Sequence, residues 1–261
     1  MIHFVGAGPG AADLITVRGQ ALLQQADIII YAGSLVNPAL LEYAKPSCKI
    51  HNSAHMTLEE VLAVMQQAEQ TQRITVRLHT GDPCLYGAIQ EQMDALDKLG
   101  IAYDVVPGVS SFCGAAAALK TEYTLPGVSQ SVVITRIAGR TPVPEKEEIS
   151  LFAAHGATMV IFLSTGMLPQ LSQRLMLGGY SGDTPAAIVY KATWPQEQVL
   201  RCTVANLAQT AKQHNITKTA LIVVGNCLNS AYERSRLYHP SFSHEFRAGT
   251  NEPTEKRGIQ L

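Results

Sequence analysis

Apolar and polar positions divide the first half of the chain into alternating strands and helices. Short apolar runs predict strands at residues 2–5, 27–31, 74–78 and 102–106, and residues 48–52 are interpreted as a further short strand. Between them apolar residues recur at helical spacing, and Thr57-Leu-Glu-Glu60 has the form of a capping box that begins a helix. Because strands that alternate with helices build parallel sheets, this half is predicted to be an α/β domain.

In the second half, strands follow one another more closely. They are predicted at residues 130–136, 158–163, 184–192, 196–204 and 219–225, with helices at 167–175 and 205–214 and a mobile charged loop at 137–148. The connection at residues 193–195 is short enough for antiparallel pairing of its two strands. The predicted fold class is therefore α/β with two α/β domains, the N-terminal one built on a largely parallel sheet and the C-terminal one on a mixed sheet.

The domain boundaries follow from the same pattern. The N-terminal domain is predicted to span residues 1–115 and the C-terminal domain residues 125–228, with the linker within residues 115–128. Residues 229–261 are polar and are expected to form a flexible C-terminal tail. The alternative is that the aromatic residues Tyr238, Phe242 and Phe246 anchor part of this tail on the body of the protein.

Three predicted strands of the first half end in turns made of small residues. These turns are Gly6-Ala-Gly-Pro-Gly-Ala11, Thr80-Gly-Asp-Pro-Cys-Leu-Tyr-Gly87 and Pro107-Gly-Val-Ser-Ser111. Open α/β sheets bind their ligands at the carboxyl ends of the strands. In the second turn, Gly81 permits close approach of backbone to a ligand, Pro83 stiffens the chain and Asp82 supplies a carboxylate. A ligand site assembled from separate loops is therefore predicted at this edge.

The first turn also fits the G-x-G-x-x-G/A pattern of dinucleotide-binding enzymes, so a nicotinamide dehydrogenase is one alternative. Such a site needs an acidic residue at the far end of the second strand to bind the ribose hydroxyls. Here that end reads Tyr31-Ala-Gly-Ser-Leu-Val36, without a carboxylate. Pro9 also removes one of the N–H groups that a pyrophosphate would need. Both features disfavour the dehydrogenase.

Composition narrows the classes of partner. The 261 residues are 46% apolar and 16% charged with a net charge of −1, which indicates a globular protein and argues against binding nucleic acid through a broad basic surface. Five scattered cysteines and unclustered histidines predict neither disulfides nor a metal site. Without a signal peptide or an apolar run of membrane-spanning length, a cytoplasmic location without membrane contact is expected.

Together, the three turns resemble the tetrapyrrole methylase family, whose members transfer methyl groups from S-adenosyl-L-methionine to cyclic tetrapyrroles. Further segments are similar to the branch that methylates C11 of precorrin-4 or cobalt-precorrin-4 in cobalamin synthesis. Among them are Ile30-Tyr-Ala-Gly-Ser-Leu-Val36, Thr135-Arg-Ile-Ala-Gly-Arg-Thr-Pro142 and Lys191-Ala-Thr-Trp-Pro195. The likeness covers residues 1 to about 228. It implies two α/β domains with an active-site trough between them, and a homodimer.

The resemblance also implies where the methyl donor S-adenosyl-L-methionine binds. Carried over by motif, the donor-binding residues are Pro9, Gly81, Asp82, Leu85, Ser110, Ser111, Leu163, Ala192 and Ala220. Many relatives have Met where this chain has Leu163, and Leu keeps the apolar contact. For the carboxylates of the tetrapyrrole, the candidate ligands are Arg136, Arg140 and Lys191, since Arg and Lys pair with carboxylates.

The implied reaction is an in-line methyl transfer to C11 of cobalt-precorrin-4, in which positioning supplies most of the acceleration. Tyr31, His79 and Tyr86 lie near the turns, but none has a partner visible in the sequence, so no catalytic residue is assigned. The cobalt form is preferred on overall resemblance. The open alternatives are metal-free precorrin-4, another tetrapyrrole carbon, a modified histidine of a protein, and a tetrapyrrole sensor without catalysis.

Overall fold

A computed structural model of the chain describes residues 1–228 and 231–250. Its first sheet contains β1 (Ile2–Gly6), β2 (Ile28–Tyr31), β3 (Lys49–Asn52), β4 (Thr75–His79) and β5 (Tyr103–Val106). The order is β3-β2-β4-β1-β5, and every pair is parallel. The helices α1 (Val17–Gln25), α2 (Leu58–Gln70), α3 (Gln90–Lys98) and α4 (Ser111–Leu119) follow its strands. The predicted parallel sheet is confirmed.

Both faces of the first sheet are covered by apolar side chains. Ile2 and Phe4 of β1 pack with Met65 of α2 on one face, while Val5 packs with Leu23 of α1 on the other. Burial of both faces explains why neighbouring residues of a strand, such as Phe4 and Val5, are both apolar. The predicted capping box begins α2: the Thr57 hydroxyl accepts from the Glu60 N–H, and the Glu60 carboxylate accepts from the Thr57 N–H.

The second sheet contains β6 (Val132–Arg136), β7 (Thr158–Phe162), β8 (Pro185–Tyr190), β9 (Gln198–Thr203) and β10 (Ala220–Val224). Its order is β6-β7-β10-β8-β9, with β6 parallel to β7 and the other pairs antiparallel. The predicted mixed sheet and the antiparallel β8–β9 pair are both confirmed. Helices α5 (Ile149–Ala153), α6 (Leu168–Leu177) and α7 (Leu207–Gln213) accompany it.

Helix α5 was absent from the predicted pattern. It is a single short helix, too short for helical periodicity to be visible in the sequence. Its first turn is held by the Glu148 carboxylate, which accepts from the Ser150 N–H at 2.7 Å. The loop predicted at residues 137–148 contains a further 3-10 turn, Glu145–Glu147.

Helix α4 joins the two sheets. It follows β5 of the first sheet, yet Ala115 and Leu119 are buried against Val160, Ala187 and Leu221 of the second. The predicted linker, residues 115–128, thus begins inside a helix that packs on the second sheet. The proposed domain boundaries stay a prediction, but this packing fixes the carboxyl edge of the first sheet against the second.

The tail contacts the body through the Glu233 N–H, which donates to the Pro126 carbonyl at 3.2 Å. The three aromatic residues predicted as alternative anchors are all exposed: Tyr238 by 80%, Phe242 by 39% and Phe246 by 87%, so none of them is buried against the chain. Residues 229–230 and 251–261 of the predicted tail lie outside the described residues. Within the described part of the chain, no helix is long and apolar enough to cross a membrane.

Candidate functional site

The three small-residue turns of the first sheet meet at one point. Gly8 and Gly81 exchange backbone hydrogen bonds, Gly81 N–H to Gly8 carbonyl at 2.9 Å and Gly8 N–H to Gly81 carbonyl at 3.2 Å. A Cβ on Gly6 would lie 2.5 Å from the Cα of Gly108 and 2.6 Å from the Gly81 oxygen. Glycine at position 6 is therefore required by backbone-to-backbone contact between the first and third turns.

Asp82 ties the second turn to the third. One carboxylate oxygen accepts from the Cys84 N–H at 2.8 Å, and the other accepts from the Gly108 N–H at 2.8 Å. Desolvation raises the pKa of the Asp82 carboxyl, but the hydrogen bonds from Cys84 and Gly108 outweigh it, so the pKa lies below its ordinary value. Asp82 is thus a charged acceptor that fixes two loops, in addition to facing the space between them.

The second sheet contributes the loop after β8. The Thr193 hydroxyl accepts from the Ala11 N–H at 2.9 Å, which joins this loop to the first turn. A side chain at Gly10 would overlap the Trp194 ring, so glycine at position 10 lets the tryptophan approach. The Lys191 ammonium lies 5.1 Å from the centre of the Trp194 ring, within cation–π distance.

Between these loops lies a cavity of about 290 Å³, formed by both sheets. All nine residues predicted to bind the donor line it: Pro9, Gly81, Asp82, Leu85, Ser110, Ser111, Leu163, Ala192 and Ala220. Lys191, predicted to bind the tetrapyrrole, lines it as well. Residues up to 211 positions apart in the sequence, from Pro9 to Ala220, therefore share one concave surface at a strand-end edge, as ligand sites of α/β proteins do.

The structure does not bring Arg136 and Arg140 into this cavity. Arg136 donates to the Thr141 carbonyl at 3.2 Å and to the Pro142 carbonyl at 2.6 Å, and it lines a separate cleft of about 600 Å³. Arg140 is exposed on the same loop. Desolvation raises the pKa of Tyr86, a cavity residue, and the nearby Arg136 charge offsets part of that rise. Arg136 therefore lies beside the cavity edge, and its contact with a tetrapyrrole stays a prediction.

Several cavity residues have a backbone conformation that side chains disfavour. Tyr86, Leu163, Lys191 and Thr219 have φ angles of 56°, 52°, 46° and 59°, in the left-handed region. Each costs roughly 1–2 kcal/mol relative to the right-handed conformation. Leu163 is also 62% exposed, which is unusual for a leucine at a strand end. Strained residues cluster where a surface is shaped for a ligand, and this cluster coincides with the cavity.

Among the cavity residues that were not predicted as ligands, Arg77, His79 and Trp194 matter most for the chemistry of the site. The sequence held a signal for Arg77, a charged residue inside the apolar run at 74–78. His79 is buried, and desolvation followed by the neighbouring Arg77 charge lowers its pKa to about 3. His79 is therefore neutral at pH 7. Trp194 lies in the segment Lys191–Pro195 that resembles one branch of the family, but its approach to Gly10 depends on how the two sheets pack.

The donor set of the cavity fits S-adenosyl-L-methionine. Backbone groups of the glycine turns and the Ser110 and Ser111 hydroxyls offer hydrogen bonds to polar edges, and Asp82 offers negative charge to an ammonium or sulfonium group. Leu85 and Leu163 supply apolar walls. Pro9 has no N–H to offer a phosphate, which again disfavours a dinucleotide.

The comparisons with known proteins agree with this chemistry. The model of the family Tetrapyrrole (Corrin/Porphyrin) Methylases matches residues 1–208. The chain belongs to this family. The tetrapyrrole methylase is also 52% identical over 247 residues to a cobalt-precorrin-4 C(11)-methyltransferase of Methanocaldococcus jannaschii, covering 94% of this chain and 95% of that protein. To a precorrin-4 C(11)-methyltransferase of Mycobacterium tuberculosis it is 46% identical, covering 91% and 95%.

The fold is shared with a solved member of the family. The X-ray structure of a cobalamin biosynthetic enzyme, cobalt precorrin-4 methyltransferase, superposes with a TM-score of 0.86 and 44% identity, over 88% of this chain and 96% of that one. The family and the two-sheet α/β fold were both predicted correctly. The protein is a methyltransferase, and its methyl donor is S-adenosyl-L-methionine.

Proposed function

We propose that this tetrapyrrole methylase transfers a methyl group from S-adenosyl-L-methionine to C11 of cobalt-precorrin-4, giving cobalt-precorrin-5A in cobalamin synthesis. One observation carries the proposal: the nine residues that match the family's donor site line one cavity between the sheets. The specificity for C11 is supported by near full-length likeness to relatives that bear this name, at 52% and 43% identity.

The chain contributes mainly position and surroundings. The bound donor supplies an activated methyl group on sulfur. Gly81, Ser110 and Ser111 would hold its polar edges, and Leu163 and Leu85 would exclude water from the reacting atoms. Holding the acceptor carbon, the methyl group and the sulfur in line in this way would supply a large part of the acceleration.

Three titratable residues of the cavity lie at or near the second turn: Asp82, Tyr86 and His79. None of them is suited to act as a strong base. Both oxygens of Asp82 accept backbone hydrogen bonds, and burial raises the pKa of Tyr86. With a pKa of about 3, His79 is a weak proton acceptor. The electron pair for the new carbon–carbon bond therefore comes from the conjugated ring of the tetrapyrrole. The methyl–sulfur bond breaks, its electron pair goes to sulfur, and S-adenosylhomocysteine leaves. The role of the protein is to position the two reactants.

The experiment is methyl transfer by the purified protein with isotope-labelled donor and each acceptor in turn: cobalt-precorrin-4, metal-free precorrin-4 and uroporphyrinogen III. We expect label in the cobalt-precorrin-4 product, at C11 by NMR. Faster transfer to metal-free precorrin-4 would show that the metal-free form, and not the cobalt form, is the substrate. Label on another carbon would contradict the C11 assignment, and acceptor binding without transfer would indicate a sensor.

We also propose that the protein acts as a homodimer in the cytoplasm, without nucleic acid or membrane partners. The dimer rests on the family resemblance, and the location on cysteines at 48, 84, 113, 202 and 227 that are all free. Light scattering after gel filtration tests the dimer, since the chain mass is 28.1 kDa. A single species of that mass would contradict it.

A further inference from the structure

Arg77 lies at the middle of β4 and lines the cavity, although it is only 7% exposed. Its neighbours in register on the two adjacent strands are Phe4 and Ile30, both fully buried. An arginine in such a position is costly unless its charge and its hydrogen-bond donors are satisfied. How the guanidinium is satisfied therefore shows what the cavity is shaped to bind.

The protein satisfies only part of this group. Arg77 Nε donates to the Gln92 side-chain oxygen at 3.1 Å, and one terminal nitrogen donates to the Ile30 carbonyl at 3.1 Å. A guanidinium has five N–H donors, and both of these acceptors are neutral. Across residues 1–228 and 231–250, Arg77 forms no salt bridge with any carboxylate. Burial lowers its pKa to about 10, so the group is still charged at pH 7.

His79, two residues along the same strand, adds to this picture. It is 3% exposed, its ring stacks on Phe4 with centroids 6.1 Å apart, and it also lines the cavity. Its Nε2 atom is buried and has no hydrogen-bond partner among the residues that the structure describes. The cavity therefore presents a buried cation without a counterion beside a buried polar nitrogen without a partner, and native proteins rarely leave such groups unpaired.

We propose that Arg77 binds a carboxylate of a ligand in this cavity, with the unpaired nitrogen of His79 at the same subsite. This proposal rests on the function proposed above, which supplies two ligands that carry carboxylates: the methyl donor and the tetrapyrrole. Lys191 is less suited to be the main anion-binding group, since its ammonium lies over the Trp194 and Tyr190 rings. Arg136 donates to carbonyls of its own loop.

The test compares the purified wild-type protein with Arg77→Gln by titration calorimetry, using ligands with and without the carboxylate. The first pair is S-adenosylhomocysteine and its decarboxylated analogue. If Arg77 binds the donor, Arg77→Gln lowers the affinity for S-adenosylhomocysteine about 10- to 100-fold, the range of a hydrogen bond to a charged group. The affinity for the decarboxylated analogue is then unchanged. The exposed Arg18→Gln is the matched control and is expected to change neither affinity.

The second pair tests the tetrapyrrole as the source, with uroporphyrin III and its fully decarboxylated counterpart, etioporphyrin III, as probes in the same detergent. A loss of affinity in Arg77→Gln that is larger for uroporphyrin III, with donor binding unchanged, assigns the subsite to a tetrapyrrole carboxylate. Equal losses for carboxylated and decarboxylated ligands would show a purely structural role and overturn the proposal. Unchanged affinity in both pairs would overturn it as well.

If Arg77→Gln does not fold, Gln92→Glu decides instead. This variant keeps the shape of the residue that accepts from Arg77 Nε and adds an internal carboxylate. It is expected to lower the affinity for the carboxylated ligand of one pair and to leave the affinity for the other ligand of that pair unchanged. An equal change in affinity for both ligands, or no change for either, would refute the proposal. These measurements need no methyl transfer, so a wrong acceptor in the proposed function and a wrong role for Arg77 are told apart.

Discussion

Replacing Asp82 with alanine is expected to weaken donor binding and to destabilise the fold together. In the native protein, the carboxylate accepts from the N–H groups of Cys84 and Gly108, each at 2.8 Å, and so joins the second turn to the third. Alanine leaves both donors without that acceptor. Because Gly108 is in backbone contact with Gly6, a shift of the third turn also disturbs the first.

The size of the effect follows from these two bonds. Hydrogen bonds to a charged group contribute roughly 1.5–3 kcal/mol each, and a partly exposed site lowers this because water replaces the lost acceptor. We therefore expect a loss of about 2 kcal/mol in the free energy of unfolding, which lowers Tm by about 4–8 °C in a protein of this size. Because the donor is bound by the ordered turns, ordering them again when it binds costs up to about the same 2 kcal/mol, which corresponds to an affinity for the donor up to about 30-fold weaker.

Calorimetric titration with S-adenosylhomocysteine and a thermal melt measure the two quantities. Asp82→Asn keeps one side-chain oxygen, so its losses of donor-binding free energy and of Tm are expected to be about half of those in Asp82→Ala. Asp183→Ala, an exposed acid in a turn of the second domain, is the control and should match the wild type. Wild-type affinity and Tm in Asp82→Ala would refute the role of Asp82 as the link between the turns.

Three further predictions concern the same cavity. Gly10→Ala places a Cβ against Trp194 and is expected to lower the free energy of unfolding by about 1–3 kcal/mol and to weaken donor binding. Gly166→Ala, with open space around it, is the control. Equal thermal melts of the two variants would contradict this packing. Leu163→Gly removes an apolar side chain from the cavity but relieves the left-handed strain at this position. The free energy of unfolding should therefore change by less than about 1 kcal/mol, while donor affinity falls about fivefold. Unchanged donor affinity would show that Leu163 does not contact the donor. His79 has a folded pKa of about 3, below its unfolded value near 6.5. Its contribution to stability is therefore complete above pH 6.5 and is lost as pH falls toward 3. In denaturant titrations across that range, the free energy of unfolding of the wild type should fall relative to that of His79→Phe, and a pH-independent difference would contradict the lowered pKa.

Much of the fold was predictable because local patterns decide it. The run Ile28-Ile-Ile30 of β2 is apolar at consecutive positions because the first sheet is covered on both faces, and that pattern distinguishes buried parallel strands. The capping box at Thr57 is likewise a property of four neighbouring residues. Helix α5 escaped prediction because five residues carry too little periodicity.

The candidate site was predictable to the extent that motifs carried it. The turns with Pro9, Gly81 and Ser110 were recognised from their spacing behind strands and from family resemblance, and they do meet in one cavity. Arg136 and Arg140 were chosen from charge near a motif. Charge alone does not say where a long side chain points, and the Arg136 guanidinium in fact binds carbonyls of its own loop.

By itself, the sequence determined which segments become strands and helices, where turns of small residues follow the strands, and to which family the chain belongs. These properties depend on residues close together in the chain, so local sequence patterns are enough to predict them. Only the tertiary structure decided that Trp194 lies against Gly10, that both oxygens of Asp82 accept hydrogen bonds, and that Arg77 faces the cavity without a counterion among the residues that the structure describes. Those contacts arise from packing across and between the two sheets, which brings distant residues together at distances that no local pattern specifies.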